Sequence, residues 1–322
     1  MNRNLGNLQD LQALPRQGWH LAGLMAMTLL VVSLFGVSNA QGQEAFVHVA
    51  DSGNSFLNVT QLDHPAVNGQ PSARLIVTPN YNPDGGGAGV NNPHYIGVFY
   101  SSNRWSIINE DLALMPDGAA FNVLVAPSSR SFVHQVTEAN TVGRSTRLDN
   151  PLLTGDESRF LVTHNRTPNG EPNGPTLETS FRSYSISSPE ETWTIEVPVG
   201  ETLPEGTEFN VFVADASFET FDHFATASNT SSDTTYLSHP MLDGNPDPLV
   251  WAYELIPFGP NGENYHPYAV AYDPTLEQWA IRNSDGANIA FQSRFVVGFQ
   301  VNSIFTDGFE SGDTTRWSRR VP

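Results

Sequence analysis

The chain has 322 residues and contains neither cysteine nor lysine, which excludes disulfide bonds, thiolate metal ligands and a cysteine nucleophile. Its 34 acidic residues outnumber the 15 arginines and give a formal net charge of -19. We therefore expect nucleic acid and anionic membrane surfaces to be repelled rather than bound.

Residues 1–40 have the pattern of a secretory signal peptide. Arg3 and Arg16 precede an apolar run from Leu21 to Val37, and the small residues of Ser38-Asn-Ala40 follow it. An apolar run of about 17 residues is at the short limit for crossing a bilayer roughly 30 Å thick. Cleavage after Ala40 is therefore favoured over a retained anchor, and the mature chain is predicted to be secreted and not inserted in a membrane.

Three copies of one pattern divide the rest of the chain. Each copy opens on a phenylalanine followed two residues later by a histidine, continues with a short motif ending in proline, and then has a lone tryptophan. The copies are Phe46-Val-His48, Leu62-Asp-His-Pro65 and Trp105; Phe132-Val-His134, Leu148-Asp-Asn-Pro151 and Trp193; and Phe221-Asp-His223, Leu237-Ser-His-Pro240 and Trp279. Such periodicity indicates tandem repeats, predicted at 41–127, 128–215 and 216–303 with a tail at 304–322.

Short β-branched and aromatic runs between glycines and prolines predict an all-β fold. In the tryptophan strand, Trp193, Ile195 and Val197 share one face while Thr194 and Glu196 share the other, as expected for a sheet exposed to water on one side. The connections between units are short, so the units should pack together. We predict three tandem sandwich-like or barrel-like modules, and prefer packed sandwich-like modules over a closed three-bladed ring.

Each repeat is predicted to close on a strand that follows a glycine. The closing segments are Gly118-Ala-Ala-Phe-Asn-Val-Leu-Val125, Gly206-Thr-Glu-Phe-Asn-Val-Phe-Val213 and Gly286-Ala-Asn-Ile-Ala-Phe291. Alternating apolar residues in the first two predict one buried face. The third segment is the most divergent.

The first repeat resembles a known family. The run Val77-Thr-Pro-Asn-Tyr-Asn-Pro83, the glycine-rich turn to Val90, the segment Asn92-Pro-His-Tyr-Ile-Gly-Val-Phe-Tyr100 and residues Trp105 to Val125 are similar to a β-rich tandem-repeat domain family of unknown function found in secreted bacterial proteins. The other repeats have Thr163-His-Asn-Arg-Thr-Pro168 and Ala252-Tyr-Glu-Leu-Ile-Pro257 in place of the first run. The resemblance implies a bacterial, exported protein and no known activity.

The tail carries a second resemblance. Ile304-Phe-Thr-Asp-Gly-Phe-Glu-Ser-Gly-Asp-Thr-Thr-Arg-Trp-Ser318 resembles a short Asp-Gly-Phe-Glu-Ser-Gly motif at the C-terminus of exported proteobacterial proteins. It implies a sorting or processing signal.

Histidines recur at matching landmarks and are the first candidate for chemistry. The candidates are His48, His64 and His94 in the first repeat and His223, His239 and His266 in the third; of these landmarks the second repeat keeps only His134. Three imidazoles are a familiar zinc or copper ligand set. The alternative, which we favour, is a buried histidine that hydrogen-bonds within the fold, since Phe46 and His48 share a strand face.

The loop from Asn80 to Asn92 is the second candidate. Asn80, Asn82 and Asp84 have oxygens that suit Ca²⁺, and Tyr81 is suited to stacking on a sugar ring. An exposed turn of residues that tolerate positive φ is the favoured alternative. No bound cofactor is expected, with Zn²⁺ and Ca²⁺ as the candidates should one bind.

No catalytic residue is assigned, because there is no Gly-x-Ser-x-Gly elbow and no carboxylate pair recurs across the repeats. The pattern favours a secreted, non-enzymatic binding or surface-interaction protein, with a carbohydrate or cell-surface polymer as its partner and avidity from repetition. The alternatives are a metal-dependent secreted hydrolase that uses the repeat histidines and a purely structural exported protein.

Overall fold

A computed structural model describes residues 43–153, 158–167, 174–186, 192–256 and 262–300. These residues form 21 β-strands in three seven-stranded sheets and one short 3₁₀ turn, Ser128–Arg130. Within the described residues, no helix is long and apolar enough to cross a bilayer. The prediction of an all-β fold of three packed repeat modules is confirmed, whereas the signal peptide and the tail lie outside the described residues.

Each repeat contributes seven strands in the same order. Repeat 1 has β1 Glu44–Val49, β2 Ser55–Phe56, β3 Val59–Gln61, β4 Arg74–Asn80, β5 Ile96–Ser101, β6 Arg104–Asn109 and β7 Ala120–Ala126. Repeat 2 has β8 Ser131–Gln135, β9 Thr141–Val142, β10 Ser145–Leu148, β11 Phe160–Asn165, β12 Arg182–Ile186, β13 Thr192–Glu196 and β14 Glu208–Val213. Repeat 3 has β15 Glu219–Phe224, β16 Thr230–Ser231, β17 Thr234–Tyr236, β18 Leu249–Leu255, β19 Tyr268–Asp273, β20 Gln278–Asn283 and β21 Arg294–Gln300.

Every sheet is shared by two repeats. In each repeat the first, seventh and fourth strands form an antiparallel three-stranded half, and the second, third, sixth and fifth form a four-stranded half. The halves of different repeats join by a short parallel pairing, here called a seam: β4 with β19, β11 with β5, and β18 with β12. Repeat 1 thus joins repeat 3, repeat 2 joins repeat 1 and repeat 3 joins repeat 2. The three seams close a ring, an arrangement that the sequence patterns did not favour.

The hydrophobic core follows this arrangement. Trp105, Trp193 and Trp279 are buried in the cores of repeats 1, 2 and 3. The core of repeat 2 also takes in Ile76 from β4 and Trp251 from β18. Apolar side chains of all three repeats are therefore packed together where the repeats meet.

The second face of the tryptophan strand is covered, contrary to the expectation of a wet face. Thr194 is 1 % exposed and Glu196 is 4 % exposed. Glu196 forms ion pairs with Arg144 at 3.0 Å and with the buried Arg182 at 3.4 Å, and Arg182 also contacts Glu263 from repeat 3. Sequence alternation detects only whether a residue is polar, and here the buried Glu196 is paired with two arginines of its own repeat, one of which also pairs with Glu263 of repeat 3.

The predicted closing strand of repeat 3 was wrong. Residues 286–291 form no strand, and the chain instead closes on β21. The N–H of Gln292 donates to the carbonyl of Ala225, as that of Gly118 donates to Ala50. Gln292 has a φ of 72° and Gly118 a φ of 88°, so a glutamine occupies the left-handed position that is glycine in the other repeats. Gly286 belongs to an earlier turn, so it does not mark the start of the closing strand as Gly118 and Gly206 do in repeats 1 and 2.

Candidate functional site

One cavity is built by all three repeats. The central strands β4, β11 and β18 contact one another, with the Thr163 hydroxyl accepting from the Val77 N–H at 2.9 Å. Beside them lies a cavity of about 80 Å³. Its lining comes from equivalent segments: Val77, Thr78, Pro79, His94, Tyr95 and Ile96 in repeat 1; Val162, Thr163, Ser180 and Phe181 in repeat 2; and Ala252, Tyr253, Glu254, His266, Pro267 and Tyr268 in repeat 3.

Two histidines at the cavity are each held by an aspartate. His94 Nδ1 lies 2.7 Å from Asp111 Oδ2, and His266 Nδ1 lies 2.8 Å from Asp285 Oδ2. Both imidazoles are partly exposed, at 22 % and 39 % of the side chain, so the cavity opens to solvent beside them. A carboxylate on Nδ1 favours the Nδ1–H tautomer. Each Nε2 then presents a lone pair that can accept a hydrogen bond from a ligand.

The two histidines occupy corresponding positions. His94 lies four residues before Val98, which pairs across the seam between repeats 1 and 2. His266 lies four residues before Val270, which pairs across the seam between repeats 3 and 1. The loops that carry them are also connected, because the Tyr95 hydroxyl donates to the carbonyl of Tyr265 at 2.7 Å. The ring closure therefore places two copies of one His–Asp pair at one cavity.

Glu254 adds a buried carboxyl group to the lining. It is 1 % exposed, and the loss of hydration on burial raises its pKa to about 8, although the N–H of Asn264, at 2.6 Å, and the charge of Arg182 lower it. Burial likewise raises the pKa of Tyr95 to about 12. At neutral pH the Glu254 carboxyl is protonated and can donate a hydrogen bond.

At the position of Glu254, repeat 2 has His164, which the sequence landmarks missed. Its Nδ1 lies 2.6 Å from Glu110 Oε1, and both side chains are buried. This pair lies at the seam between repeats 1 and 2, beside Gly97, where a Cβ would meet Glu110 Oε1 at 2.0 Å. The third equivalent is Pro79, so no shared residue type marks the position. The meeting of this imidazole with this carboxyl group beside a glycine becomes visible only when the pairing of the repeats is known.

The first landmark histidine has the same partners in every repeat. His48 Nε2 lies 2.7 Å from Thr60 Oγ1, Thr60 donates to Asn54 Oδ1 at 2.9 Å, and Asn54 donates to the carbonyl of Val49. The counterparts are His134, Thr146 and Asn140 in repeat 2 and His223, Thr235 and Asn229 in repeat 3. Burial lowers the pKa of all three histidines to about 4. In each repeat, the hydrogen bond between this imidazole and its threonine joins the first strand to the third.

The second landmark forms a turn. His64 stacks on Phe46 with ring centroids 4.0 Å apart, and its Nδ1 accepts from the N–H of Ala66 at 3.4 Å. His239 makes the same two contacts in repeat 3, with Phe221 and Met241. In repeat 2 the side-chain oxygen of Asn150 accepts from the N–H two residues on, at 3.0 Å. Histidine and asparagine are therefore interchangeable here because both offer this acceptor.

The six candidate histidines do not form a metal centre in the described part of the chain. No group of three or more histidine, aspartate or glutamate side chains lies in reach of one ion among these residues. His48 and His223 bind threonines, His64 and His239 cap turns, and His94 and His266 face the shared cavity. Zinc binding by these histidines stays an untested alternative to the expectation that no cofactor is bound.

The loop candidates lie apart from the cavity's histidines and join repeat 1 to repeat 3. Asn82 is 4 % exposed and exchanges two hydrogen bonds with the backbone of Tyr272, at 2.7 and 2.9 Å. Asn80 donates to Asn122 at 3.0 Å, and Tyr81 lies under the guanidinium of Arg282 at 4.3 Å. Asp84 is exposed. The asparagine amides thus hold the seam region together, and calcium or sugar binding by this loop stays a prediction.

The fold and the cavity define a class of protein, an all-β tandem-repeat protein whose repeats are joined in a ring and together line one cavity. The chain belongs to the family described as a domain of unknown function (DUF7452), which it matches over residues 15–125, 113–181 and 183–299. Neither a curated protein nor a solved structure matches the chain.

Proposed function

We propose that this chain is a secreted, non-enzymatic binding protein whose ligand enters the cavity shared by the three repeats. The ligand is a neutral carbohydrate, taken up through one terminal sugar of a larger polymer. The observation that carries the proposal is the convergence of two aspartate-held imidazoles, His94 and His266, on one cavity. Export is supported by the pattern of residues 1–40 and by the resemblance of the tail.

The chemistry of the lining supports a neutral, hydroxyl-rich ligand. The two Nε2 atoms accept hydrogen bonds, the protonated Glu254 donates one, and the Tyr268 and Phe181 rings supply apolar area. A sugar hydroxyl both donates and accepts, so it can satisfy both kinds of group. An anionic ligand is disfavoured by the net charge of -19 and by Asp111 and Asp285 behind the imidazoles.

The size of the cavity supports recognition of one sugar. Sites for drug-sized ligands enclose about 300 to 1,000 Å³, whereas this cavity has about 80 Å³. It therefore accepts a small group rather than a length of polymer. The remainder of a bound polymer would lie outside, beyond the exposed edges of the two histidines.

Calorimetric titration of residues 41–322 with a panel of neutral mono- and oligosaccharides tests the proposal. We expect binding that the double variant His94→Ala/His266→Ala weakens about tenfold or more, since each lost hydrogen bond contributes about 1 kcal/mol. His64→Asn is the matched control, because Asn150 already fills that position in repeat 2. The absence of any interaction at millimolar sugar would remove the carbohydrate proposal.

One observation favours a second function, hydrolysis. An imidazole held by a carboxylate is the usual arrangement of a general base, and His94 and His266 both have it. Incubation with the same sugars, followed by analysis of released reducing ends, separates hydrolysis from binding. For the metal-dependent form of this alternative, elemental analysis of the purified chain is the check, and we expect less than stoichiometric zinc.

A further inference from the structure

Four large apolar side chains are exposed together at one end of repeat 1. Phe56, Leu57, Leu112 and Leu114 are 76 %, 60 %, 65 % and 68 % exposed, and we call them the apolar tip. They are neighbours, because the N–H of Met115 donates to the carbonyl of Leu57 at 2.8 Å. An apolar patch of several hundred Å² on a soluble protein commonly marks an interaction site.

Two residues of the apolar tip also have a strained backbone. Leu57 has a φ of 52° and Leu112 a φ of 64°, in the left-handed region that disfavours branched side chains by roughly 1–2 kcal/mol per residue. Neither side chain gains burial in return. A leucine that is both strained and exposed points to a role outside the packing of the repeat.

The other repeats show what the fold itself requires here. Repeat 3 has Ser231, Ser232, Gly286 and Asn288 at the four positions, and its backbone bond from Ile289 to Ser232 matches that from Met115 to Leu57. Repeat 2 has Gly143 and Gly200 at the two left-handed positions, with exposed Val142 at the position of Phe56. The turn therefore forms without the leucines, and the full apolar tip is peculiar to repeat 1.

The C-terminal tail begins within reach of the apolar tip. The side-chain amide of Gln300, at the end of β21, donates to the carbonyl of Gln43, which precedes β1. Strand β1 leads from there to the turn that carries Phe56, a distance of about 20 Å for six residues. It pairs only with β7 among the described strands, and it exposes Val47 and Val49 along the way. Residues 301–322, which lie outside the described structure, can span about 70 Å when extended.

The chemistry of the tail complements the apolar tip. The tail carries the aromatic residues Phe305, Phe309 and Trp317 and is neutral overall, because Arg316, Arg319 and Arg320 balance Asp307, Glu310 and Asp313. Its arginines all lie in the last seven residues, and Asp51, Asp111 and Asp117 flank the apolar tip in sequence. A second copy of the chain, or an anionic bilayer, would instead meet the repulsion of a net charge of -19. We propose that residues 301–322 of the same chain run along β1 and dock on the apolar tip, so that removal of the tail uncovers this surface.

Footprinting of the full mature chain with a photoactivated carbene tests the docking. Replacing the three aromatic residues, Phe305→Ala/Phe309→Ala/Trp317→Ala, should raise labelling of the apolar tip about threefold, because the covered side chains regain exposed area. Val142 and Val199 of repeat 2 are the internal control and should not change. Equal labelling of the apolar tip in both proteins would overturn the proposal.

The reciprocal variant gives the apolar tip the residues of repeat 3: Phe56→Ser/Leu57→Ser/Leu112→Gly/Leu114→Asn. It should fold, and trypsin should cut after Arg316 about fivefold faster than in the unaltered chain, because cleavage follows the undocked population. An unchanged cleavage rate would contradict docking. Protection that grows with protein concentration would assign the surface to a second copy, and protection only with phosphatidylcholine vesicles would assign it to a membrane; either would overturn the proposal.

Discussion

At the scale of single residues, His48, His134 and His223 should control stability in acid. Burial holds their pKa at about 4 in the folded chain against 6.5 when exposed. The folded state therefore binds fewer protons, so stability is complete above pH 6.5 and falls as the pH drops towards 4. We expect a loss of about 2.5 kcal/mol for each histidine between pH 7 and pH 4.5, measured by denaturant unfolding at the two pH values. His134→Gln, which keeps a donor to Thr146, should reduce the pH dependence by about a third.

Glu254 should act in the opposite direction. Its pKa is raised to about 8 against 4.5, so its contribution to stability is complete below pH 4.5 and is lost as the pH rises to 8. Glu254→Gln keeps the acceptor for Asn264 and should stabilise the fold by about 3 kcal/mol at pH 7. The exposed Glu219→Gln is the control. A Glu254→Gln variant no more stable than the parent at pH 8 would show that this carboxyl is ionised without penalty.

Residue patterns predicted some site residues and missed others for physical reasons. His94 and His266 were found because repetition preserved the imidazole. Their aspartates, 17 and 19 residues away, were not found because spacing does not reveal a turn that brings two side chains together. Glu254 was not found because burial, not its neighbours in sequence, changes its chemistry.

At the scale of elements, the closing turn of repeat 3 is a site of correctable strain. Gln292 occupies a left-handed position at a φ of 72°, where glycine is free of the clash of a Cβ atom. Gln292→Gly should therefore stabilise the chain by about 1 kcal/mol, measured as a higher midpoint of urea unfolding. The inverse change, Gly118→Gln, should destabilise it. A lower midpoint for Gln292→Gly would show that this glutamine side chain has a stabilising contact.

Strand patterns predicted the elements well where burial is one-sided. The alternation at Trp193, Ile195 and Val197 marked a core face, and all three are buried. It failed on the opposite face, at Glu196, because the arginines that pair with this buried residue, Arg144 and Arg182, come from elsewhere in repeat 2 and have no periodic relation to it. The pairing of a buried acidic side chain with an arginine that is distant in sequence has no local signature.

At the scale of the whole molecule, shared sheets should make unfolding cooperative. Each repeat supplies strands to two sheets, so removing one repeat would leave unpaired edges on its neighbours. We expect residues 41–322 to unfold in one calorimetric transition and residues 128–215 alone to remain unfolded, as judged by circular dichroism. Two or three separate transitions, or a folded isolated repeat, would contradict this linkage.

The ring also changes where function is expected. Repetition in sequence suggested one weak site per repeat and binding through avidity. The structure instead brings His94, His266 and Glu254 to a single cavity, while the other landmark histidines serve the hairpins and turns. The sequence could not distinguish one site in each repeat from one cavity shared by all three. The period of the repeat does not show which repeats share a sheet.

The number of sugar molecules bound per chain tests this account most directly. Native mass spectrometry of residues 41–322 with a neutral oligosaccharide that binds in the calorimetric titration measures it. We predict one molecule per chain, lost in His94→Ala/His266→Ala and kept in His64→Asn. Three molecules per chain, or binding that survives the double variant, would contradict a shared central site and return the function to the separate repeats.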